Sequence, residues 1–221
     1  MEMEITMKKC ALHSLGCKVN SYETQAMQKM MESAGYEIVP FGEEIADIYI
    51  INTCSVTNIA DRKSRQMIHK AKKINPEAVV AAAGCYVESA GDNIDEDVDI
   101  VIGNNEKSHL IEILNEYFEH MDKEKSVDIG KATGFDELNI DSPLEHTRAY
   151  VKIQDGCNRF CSYCIIPYVR GRIRSRKPDD VMAEIKRVAA SGCKEVVLTG
   201  IHLSSYGLDF KDSTVKLIDV I

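Results

Sequence analysis

The sequence predicts an α/β protein in which a parallel-sheet βα domain is followed by the first βα units of a second, incomplete domain. Short apolar runs alternate with helical patterns over the first 120 residues, which is typical of strands joined by crossover helices. A polar stretch with glycine and proline then interrupts the alternation, which resumes near Arg148. We therefore predict a domain at 1–120, a linker at 121–147 and the start of another domain at 148–221.

Four strands and three helices are expected in the first domain. The strands are short apolar runs, predicted at Lys9–Leu15, Ile48–Asn52, Val79–Ala83 and Val98–Ile102. The first helix is predicted to begin in a capping box, because Asn20 is followed three positions later by Glu23. The other two helices are predicted at Thr57–Lys73 and Glu106–Glu119.

The second domain is expected to open with a strand in the run RAYVKIQ, which begins at Arg148 and leads into a cysteine-containing loop. A helix at Pro178–Ala190 and a strand at Glu195–Leu198 would complete one βα unit. The final residues, VKLIDVI, have the pattern of the middle of a helix. We therefore expect the chain to be truncated inside a larger domain.

Composition excludes several classes of protein. The 221 residues include 27 Lys and Arg, 35 Asp and Glu and eight Cys, with a net charge of −8. No run approaches the ~18 apolar residues of a membrane span, and the N-terminus lacks the apolar stretch of a secretory signal. We expect a cytoplasmic protein without membrane contact, in which thiols bind metal or do chemistry rather than form disulfides.

Charge is segregated along the chain. Residues 55–74 carry a net charge of +5 and residues 148–177 carry +7, whereas residues 86–147 carry −13. The basic stretches are compatible with a polyanionic partner despite the acidic total. The alternatives are that each basic stretch is a solvated face, or that some of its arginines pair with the acidic segment.

Three cysteines follow three of the predicted strands. Cys17, Cys54 and Cys85 are 37 and 31 residues apart, about the length of one βαβ unit. The carboxyl ends of parallel strands share one edge of a sheet, where open α/β folds bind ligands. The spacing favours a common metal centre over three separately buried thiols. Cys10 and Cys193 lie elsewhere and are interpreted as packing residues.

A second set of three cysteines lies within eight residues. Cys157, Cys161 and Cys164 form a CxxxCxxC loop after the strand that begins at Arg148. A structural zinc site needs a fourth ligand, for which no paired motif follows, and the spacing differs from that of ferredoxins. A 4Fe-4S cluster held by three thiolates leaves one iron open to another ligand. This loop is the most specific signal in the chain.

These motifs resemble a known family. CxxxCxxC after a first barrel strand resembles the radical S-adenosylmethionine (SAM) enzymes, and AYVKIQDGCNRFCSYCIIPYVRGRIRSR resembles the methylthiotransferases among them. The cysteines in LGCKVN, NTCSVT and AGCY resemble those of that family's N-terminal domain. LGCKVNSYET is most similar to the branch that acts on threonylcarbamoyladenosine in tRNA. The resemblance covers essentially the whole chain and implies that residues 148–221 begin a radical SAM (β/α) partial barrel.

The resemblance implies two 4Fe-4S clusters and SAM as cofactors. Cys157, Cys161 and Cys164 would hold the cluster that binds and cleaves SAM, and Cys17, Cys54 and Cys85 would hold a second cluster that carries the sulfur. Tyr163 would pack on the SAM adenine, with ordinary core packing as the alternative. Gly200 would lie in a loop that contacts SAM. A low-potential electron donor is needed, and the sulfur donor is unknown.

The implied reaction adds a methylthio group to carbon 2 of threonylcarbamoyladenosine beside the anticodon, so the partner is a tRNA anticodon loop. The basic stretch after the cysteine loop is expected to contact RNA through arginines at alternate positions: Arg170, Arg172, Arg174 and Arg176. Lys177 extends this stretch. The basic helix that carries Arg62, Lys63 and Arg65 is a further candidate RNA contact.

Other functions remain open at this point. Within the family, the substrate could instead be isopentenylated adenosine in tRNA or an aspartate of a ribosomal protein. A different class of function is a non-catalytic iron–sulfur or zinc fragment that binds RNA or carries electrons. The missing part of the barrel also leaves open whether this polypeptide alone is active.

Overall fold

A computed structural model describes residues 8–120, 134–141, 148–211 and 214–221. Within them, five parallel strands form the first sheet in the order β2-β1-β3-β4-β5. The strands are β1 (Lys9–Ser14), β2 (Glu37–Ile38), β3 (Ile48–Thr53), β4 (Val79–Gly84) and β5 (Ile100–Ile102). The helices between and after them are α1 (Lys18–Ser33), α2 (Asn58–Ile74), α3 (Cys85–Ala90) and α4 (Leu110–His120).

Helices cover both faces of the first sheet. On one face, Met27 and Met31 of α1 and Leu114 of α4 pack on alternate strand residues such as Ile48 and Ile50. On the other face, α2 and α3 cover the intervening strand residues. Burial on both faces explains why the strands are continuous apolar runs rather than alternating ones.

Three strands form the second sheet. They are β6 (Arg148–Asp155), β7 (Arg174–Ser175) and β8 (Glu195–Gly200), in the order β7-β6-β8. Strand β8 is parallel to β6 and β7 is antiparallel to it. Helix α5 (Ile166–Val169) follows the cysteine loop, and α6 (Pro178–Ala190) connects β7 to β8. The α/β class and parallel βα organisation predicted from the sequence are confirmed.

Helix α1 lies between the two sheets. Its Met27 side packs on the first sheet, whereas Tyr22 and Ala26 pack against Ala149 of β6 and Val188 of α6. Residues Leu138 and Ile140, from the predicted linker, fill the same interface and are buried. Residues 121–133 and 142–147 of that linker lie outside the described residues. The division into domains stays a prediction.

Most predicted elements are confirmed within two residues of their ends, and α6 matches its prediction. The capping box is wrong, because α1 begins at Lys18 with Cys17 as its N-cap, and Asn20 and Glu23 are buried inside the helix. The prediction that the final residues lie in the middle of a helix is wrong as well, since Leu217–Val220 forms a short 3₁₀ helix. Among the described residues, no helix has the length and apolarity to cross a membrane.

Candidate metal centre

The cysteines of the first set follow the carboxyl ends of three parallel strands. Register pairs Ser14 with Asn52 and Thr53 with Gly84, so Cys54 and Cys85 each directly follow one of two paired residues. Neighbouring strands of a sheet are about 4.8 Å apart. Cys17 caps helix α1 just beyond β1. The strand order reverses between β1 and β3, and open α/β sheets bind ligands at such a switch point.

Two glycines allow the loops at this edge to approach one another. A Cβ at Gly16 would lie 2.8 Å from the Cys54 Sγ, and a Cβ at Gly84 would lie 2.3 Å from the Thr53 carbonyl oxygen. Gly84 also adopts φ 96° and ψ −165°, a conformation that is essentially restricted to glycine. The glycines that precede Cys17 and Cys85 are therefore required by the close packing of the site.

Polar side chains connect the three loops. The Asn20 amide donates to the Leu15 carbonyl (2.7 Å) and to the Thr53 carbonyl (2.8 Å), joining the loops before Cys17 and Cys54. The Thr53 hydroxyl bonds the Ala83 carbonyl and accepts from the Tyr86 amide, on either side of Cys85. These bonds fix the backbone that carries the thiols.

The loop at Cys54 has an additional anchor on α2. The Ser64 hydroxyl accepts from the Cys54 amide (3.0 Å) and donates to the Cys54 carbonyl (2.9 Å). Ser64 was not singled out from the sequence. A serine about two helical turns after the Thr57 N-cap resembles an ordinary helix residue.

The three thiols of the first set differ in exposure. Cys17 is exposed, whereas Cys54 and Cys85 are 6% and 2% exposed. Burial raises the pKa of the Cys85 thiol and the neighbouring Cys54 adds to the rise, whereas the positive charges of Arg170 and Lys107 oppose it. The site thus places one thiol toward solvent and two in the interior, with cations next to the deepest.

The second set lies in the loop between β6 and α5. Cys157 is buried, Cys161 is exposed and Cys164 is half-buried. The Cys157 amide donates to the Gly171 carbonyl (3.1 Å), and the Cys164 amide donates to the Cys161 carbonyl (2.9 Å). The loop is therefore a turn closed by backbone hydrogen bonds, and its three cysteines differ in exposure.

Aromatic and cationic side chains cover the outside of this loop. Phe160 has a positive φ of 47°, and its ring contacts Tyr168 edge to face at 5.7 Å. The Arg172 guanidinium lies 4.4 Å from the centre of the Phe160 ring. Tyr163 is 91% exposed, so core packing is wrong as its role, and its contact with an adenine stays a prediction.

Gly200 ends β8 beside the second sheet's central strand. A Cβ there would come within 3.0 Å of both the Gln154 Cβ and the Gln154 carbonyl oxygen. The Gln154 side chain then accepts from the His202 amide at 2.7 Å. Glycine at this position serves the close approach of β8 to β6, and the predicted SAM contact is not tested by these distances.

A group of buried charges fills the space between the two sheets. This buried ion cluster comprises Glu23, Lys107, Lys152, Asp155 and Arg170, all within 1% of complete burial. The Glu23 carboxylate accepts from Lys107 (2.9 Å), Lys152 (2.8 Å) and Arg170 (3.0 Å). Asp155 pairs with Lys152 (2.7 Å) and Arg170 (3.1 Å). The network therefore joins helix α1, the 3₁₀ turn Lys107–His109 before α4, strand β6 and the residue that follows α5.

The cations of this cluster keep both carboxylates ionised. Burial alone would raise the pKa of Glu23, but Arg170, Lys107 and Lys152 outweigh it and hold the pKa well below its usual range. The pKa of Asp155 is likewise low, because Lys152 and Arg170 outweigh burial. Buried charges are tolerated when they are paired and hydrogen-bonded, as they are in this cluster.

Three of the four arginines predicted to contact RNA are buried, which corrects that prediction. Arg170 belongs to the buried ion cluster, and Arg174 donates to the carbonyls of Arg170 and Arg172. Arg176 pairs with Glu184 and with Glu137 at 2.8 Å. Their guanidinium groups are therefore unavailable to phosphate. Arg172 alone of the four is exposed.

The alternative in which basic residues pair with the acidic segment applies to Arg176, whose partner Glu137 belongs to that segment. The three cations of α2 that were predicted to contact RNA are exposed: Arg62, Lys63 and Arg65. Arg65 contacts Asp61 one turn earlier at 3.4 Å. Of the predicted RNA contacts, these and the exposed Lys177 and Arg172 have accessible charges.

The two packing cysteines behave differently from the six in the sets. Cys10 is completely buried in the core of the first sheet, where burial raises its pKa to about 12. Cys193 packs partly against the interface core and its thiol lies 3.3 Å from the Glu195 carbonyl oxygen. Both roles agree with the sequence interpretation.

The donor chemistry of both sets fits iron–sulfur clusters. Each set offers three thiols, the ligands that hold such clusters. Three thiolates would bind three of the four iron atoms of a 4Fe-4S cluster and leave the fourth open to another ligand.

Each of the two parts of the chain matches a known protein family. Residues 9–103 match the family described as Uncharacterized protein family UPF0004, and residues 151–218 match the radical SAM superfamily. The first match includes Cys17, Cys54 and Cys85, and the second includes the CxxxCxxC loop. The fold and site thus define a radical SAM protein with an N-terminal UPF0004 domain.

Similar curated proteins define the family more narrowly. The threonylcarbamoyladenosine tRNA methylthiotransferase MtaB of Bacillus subtilis is 44% identical over 209 residues, which are 93% of this chain and 46% of that protein. The protein of the same name from Aquifex aeolicus is 44% identical over 206 residues, 91% of this chain and 50% of that protein. The chain is therefore MtaB-like and resembles radical SAM methylthiotransferases over nearly all of its own length.

A relative with another named substrate is also similar. The tRNA-2-methylthio-N(6)-dimethylallyladenosine synthase of Carboxydothermus hydrogenoformans is 38% identical over 206 residues, 89% of this chain and 46% of that protein. The chain spans about half the length of the curated relatives it matches.

Solved structures support the fold. The radical SAM methyltransferase TsrM from Kitasatospora setae, with tryptophan and a SAM analogue bound, matches with a TM-score of 0.58 at 14% identity, over 89% of this chain and 48% of that one. A second TsrM structure, with cobalamin and a [4Fe-4S] cluster bound, matches with a TM-score of 0.55 at 13% identity, over 90% of this chain and 48% of that one. Radical SAM proteins as a class use SAM and a 4Fe-4S cluster.

Proposed function

We propose that this chain is the part of a tRNA methylthiotransferase that holds two 4Fe-4S clusters, and that the substrate is threonylcarbamoyladenosine next to the anticodon. The observation that carries the proposal is the position of Arg170. It follows the CxxxCxxC loop in sequence, yet its guanidinium donates to the Asn20 side-chain oxygen (2.6 Å), and the Asn20 amide donates to the Leu15 and Thr53 carbonyls that precede Cys17 and Cys54. These bonds connect the segment after the second set to the backbone that carries the first, which supports a common site.

The residues of this chain bind and orient the clusters. Cys157, Cys161 and Cys164 hold one cluster, and Cys17, Cys54 and Cys85 hold the other. When bound, the clusters supply the reductive cleavage of SAM and the sulfur that is methylated and inserted at carbon 2 of the adenine. Burial of Cys54 and Cys85 excludes water from the inner side of the first set. A low-potential electron donor is required, and the sulfur donor is not identified.

The tRNA would lie against the exposed cations near the thiols. Arg62, Lys63 and Arg65 lie on the helix that follows Cys54, and Arg172 lies after α5, against Phe160 of the CxxxCxxC loop. Arginine side chains bind phosphate bidentately, and their contacts weaken with salt because counterions are released. An anticodon loop presents unstacked bases, which suits chemistry on one of them.

The choice of nucleoside rests on the relatives. Five similar proteins that are named for threonylcarbamoyladenosine share 34–44% identity with this chain, and three that are named for dimethylallyladenosine share 33–38%. The isopentenylated nucleoside and a ribosomal-protein aspartate are therefore alternatives that the experiment must separate.

The test uses the complete gene in a deletion strain, with mass spectrometry of tRNA nucleosides and ribosomal proteins. We expect the wild-type gene to restore the methylthio form of threonylcarbamoyladenosine, and Cys54→Ala to restore none. Cys10→Ala is the matched control, because Cys10 is equally buried but lies in the core of the sheet. Normal product from Cys54→Ala would contradict the role of the first set, and product on another substrate would contradict the proposed nucleoside.

A second measurement separates an enzyme from a non-catalytic module. Anaerobic reconstitution of the complete protein should give about eight iron and eight sulfide per chain, as two 4Fe-4S clusters contain. Cys157→Ala should abolish SAM cleavage. Zinc without sulfide would contradict the proposal.

A further inference from the structure

Asn104 joins the two parts of the chain without belonging to either set of thiols. It follows strand β5 at the carboxyl edge of the first sheet and is completely buried. Its side-chain nitrogen donates to the Val169 carbonyl oxygen at 2.7 Å. Val169 is the last residue of α5, the helix that begins two residues after Cys164. A residue at the edge of the first sheet therefore holds the backbone that follows the second set.

The backbone of Asn104 is bonded to the helix that carries a thiol of the first set. Its amide donates to the Glu88 carboxylate at 2.7 Å, and Glu88 lies in α3, which begins at Cys85. Helix α3 packs against α5. One residue thus bonds both the helix that begins with a thiol of the first set and the helix that follows the last thiol of the second.

Lys107 of the buried ion cluster fixes the orientation of the Asn104 side chain. Its ammonium group donates to the Asn104 Oδ1 at 2.6 Å as well as to Glu23 at 2.9 Å. An ammonium group only donates hydrogen bonds and a carbonyl oxygen only accepts them. The oxygen of the Asn104 amide must therefore face Lys107, and its nitrogen must face Val169. Aspartate has the same shape but would place an oxygen against the Val169 carbonyl.

The next residue along the chain is held from another direction. The Arg170 guanidinium donates to the side-chain oxygen of Asn20, which lies in α1 after strand β1. Val169 and Arg170 are thus held by two asparagines that follow different strands of the first sheet. Both contacts are buried, where polar groups are normally paired, so breaking one leaves an unfavourable unpaired group. The end of α5 therefore has a fixed place relative to the first sheet.

We propose that Asn104 is a positioning residue that fixes the distance between the two sets of thiols, because it holds α5 through its side chain and α3 through its backbone. This inference rests on the proposed function, in which both sets serve the same nucleoside. Reactions between positioned groups depend steeply on distance, and a misplacement of about 1 Å can lower the rate about 100-fold. Asn104 supplies no thiol itself, so its substitution should disturb the relation between the sets rather than either set alone.

The first test is hydrogen–deuterium exchange of the complete protein, followed by mass spectrometry. Asn104→Asp keeps the size of the side chain but repels the Val169 carbonyl, and Asn104→Ala removes the amide without adding charge. Both variants should speed exchange about tenfold at the protected amides that end α5, which are those of Tyr168, Val169 and Arg170. Unchanged exchange there in both variants would overturn the inference.

Asn75→Asp is the matched control. The Asn75 side-chain nitrogen donates to the Ala46 carbonyl (2.9 Å) and its oxygen accepts from the Glu77 amide (3.1 Å), so it also bonds on both sides of its amide. It lies at the end of α2, at the edge of the first sheet opposite the thiols. We expect Asn75→Asp to leave exchange at α5 unchanged. Faster exchange at α5 equal to that of Asn104→Asp would mean a general loss of stability and would refute the positioning role.

The second test separates positioning from folding. Under the proposed function, SAM cleavage needs the second set, whereas formation of the methylthio nucleoside needs both sets. We expect Asn104→Asp to raise the ratio of SAM cleaved to methylthio nucleoside formed about 100-fold, and Asn75→Asp to leave that ratio unchanged. Equal losses of both activities in Asn104→Asp would contradict the inference. A wild-type protein that shows neither activity would instead contradict the proposed function, and the exchange experiment would still decide whether Asn104 holds α5.

Discussion

The two cysteine sets are held in different ways. Cys54 and Cys85 follow paired positions on adjacent strands, with Gly84 and Ser64 fixing the backbone around them. The CxxxCxxC loop has two backbone hydrogen bonds at its cysteines and an outer surface of exposed aromatic and cationic groups. The first site is built into a sheet and the second into a turn. Substitutions near the first set should therefore lower the stability of the fold, whereas substitutions near the second set should have local effects.

The largest effect is expected where the two regions meet. Glu23→Gln leaves Lys107, Lys152 and Arg170 with one carboxylate fewer in the interior, which should cost about 3–5 kcal/mol of the free energy of unfolding. Urea denaturation measures the loss. Glu32→Gln is the control, because Glu32 is partly exposed and pairs with Lys29 on the helix surface, where such pairs contribute about 0–1 kcal/mol. Equal losses in both variants would contradict the structural role of the buried ion cluster.

The same variant gives a pH test. The pKa of Glu23 is lower in the folded chain than its ordinary value of 4.5, so the carboxylate stabilises the fold above that pH. The contribution should be lost as the pH falls below about 4.5, because the unfolded chain then binds the proton more readily. Stability of the wild-type chain should therefore fall more steeply in acid than that of Glu23→Gln. Parallel curves would mean that Glu23 is not held as an anion.

A smaller effect is expected at the sheet edge itself. Gly84→Ala would force a side chain to within 2.3 Å of the Thr53 carbonyl oxygen in a conformation that alanine avoids, which should cost about 3 kcal/mol. Gly35→Ala is the control, because Gly35 has a similar φ of 88° but nothing within 4 Å, so that only about 1–2 kcal/mol is expected. Thermal or urea unfolding measures both.

Iron content sharpens this contrast between the two sets. Gly84→Ala should lower the iron bound by Cys17, Cys54 and Cys85, because it displaces the backbone next to Cys85. Gly35→Ala should retain normal iron. A Gly84→Ala protein that is as stable and as well loaded as the Gly35→Ala protein would show that strand register does not position the thiols.

The smallest effect is expected at the loop of the second set. Arg172→Ala removes an exposed contact with the Phe160 ring and should cost about 0.5–1 kcal/mol. Arg159→Ala, next to Phe160 in the CxxxCxxC loop and also exposed, should change stability by less than about 0.5 kcal/mol. A large loss from Arg172→Ala would mean that the loop is as tightly integrated as the sheet edge.

Much of the fold follows from the sequence, because each buried parallel strand is a short apolar run between helical patterns. Strands β2 and β7 were missed, since two residues are too few to form a pattern. The six cysteines stood out through their spacing, and the sheet-edge position of the first three follows from the strand predictions.

The buried ion cluster could not be predicted in the same way. Glu23 and Arg170 are 147 residues apart, and each resembles an ordinary surface charge in its own segment. Asn20 and Glu23 fit a capping box, which concealed their tertiary role. One signal was present: Lys152 lies inside the apolar run of β6, and a charge within a fully buried strand requires a buried partner.

Helix α1 has a consequence for how the protein is made. It contributes Met27 to the first sheet and Tyr22 to the interface with the second, and its Glu23 finds two of its three counterions in residues 148–170. While a ribosome is still completing those residues, α1 exposes an apolar flank and a carboxylate that lacks most of its cationic partners. Final burial of the helix is therefore expected only after the cysteine loop has emerged, so that the first set of thiols is completed only when the second has been synthesised.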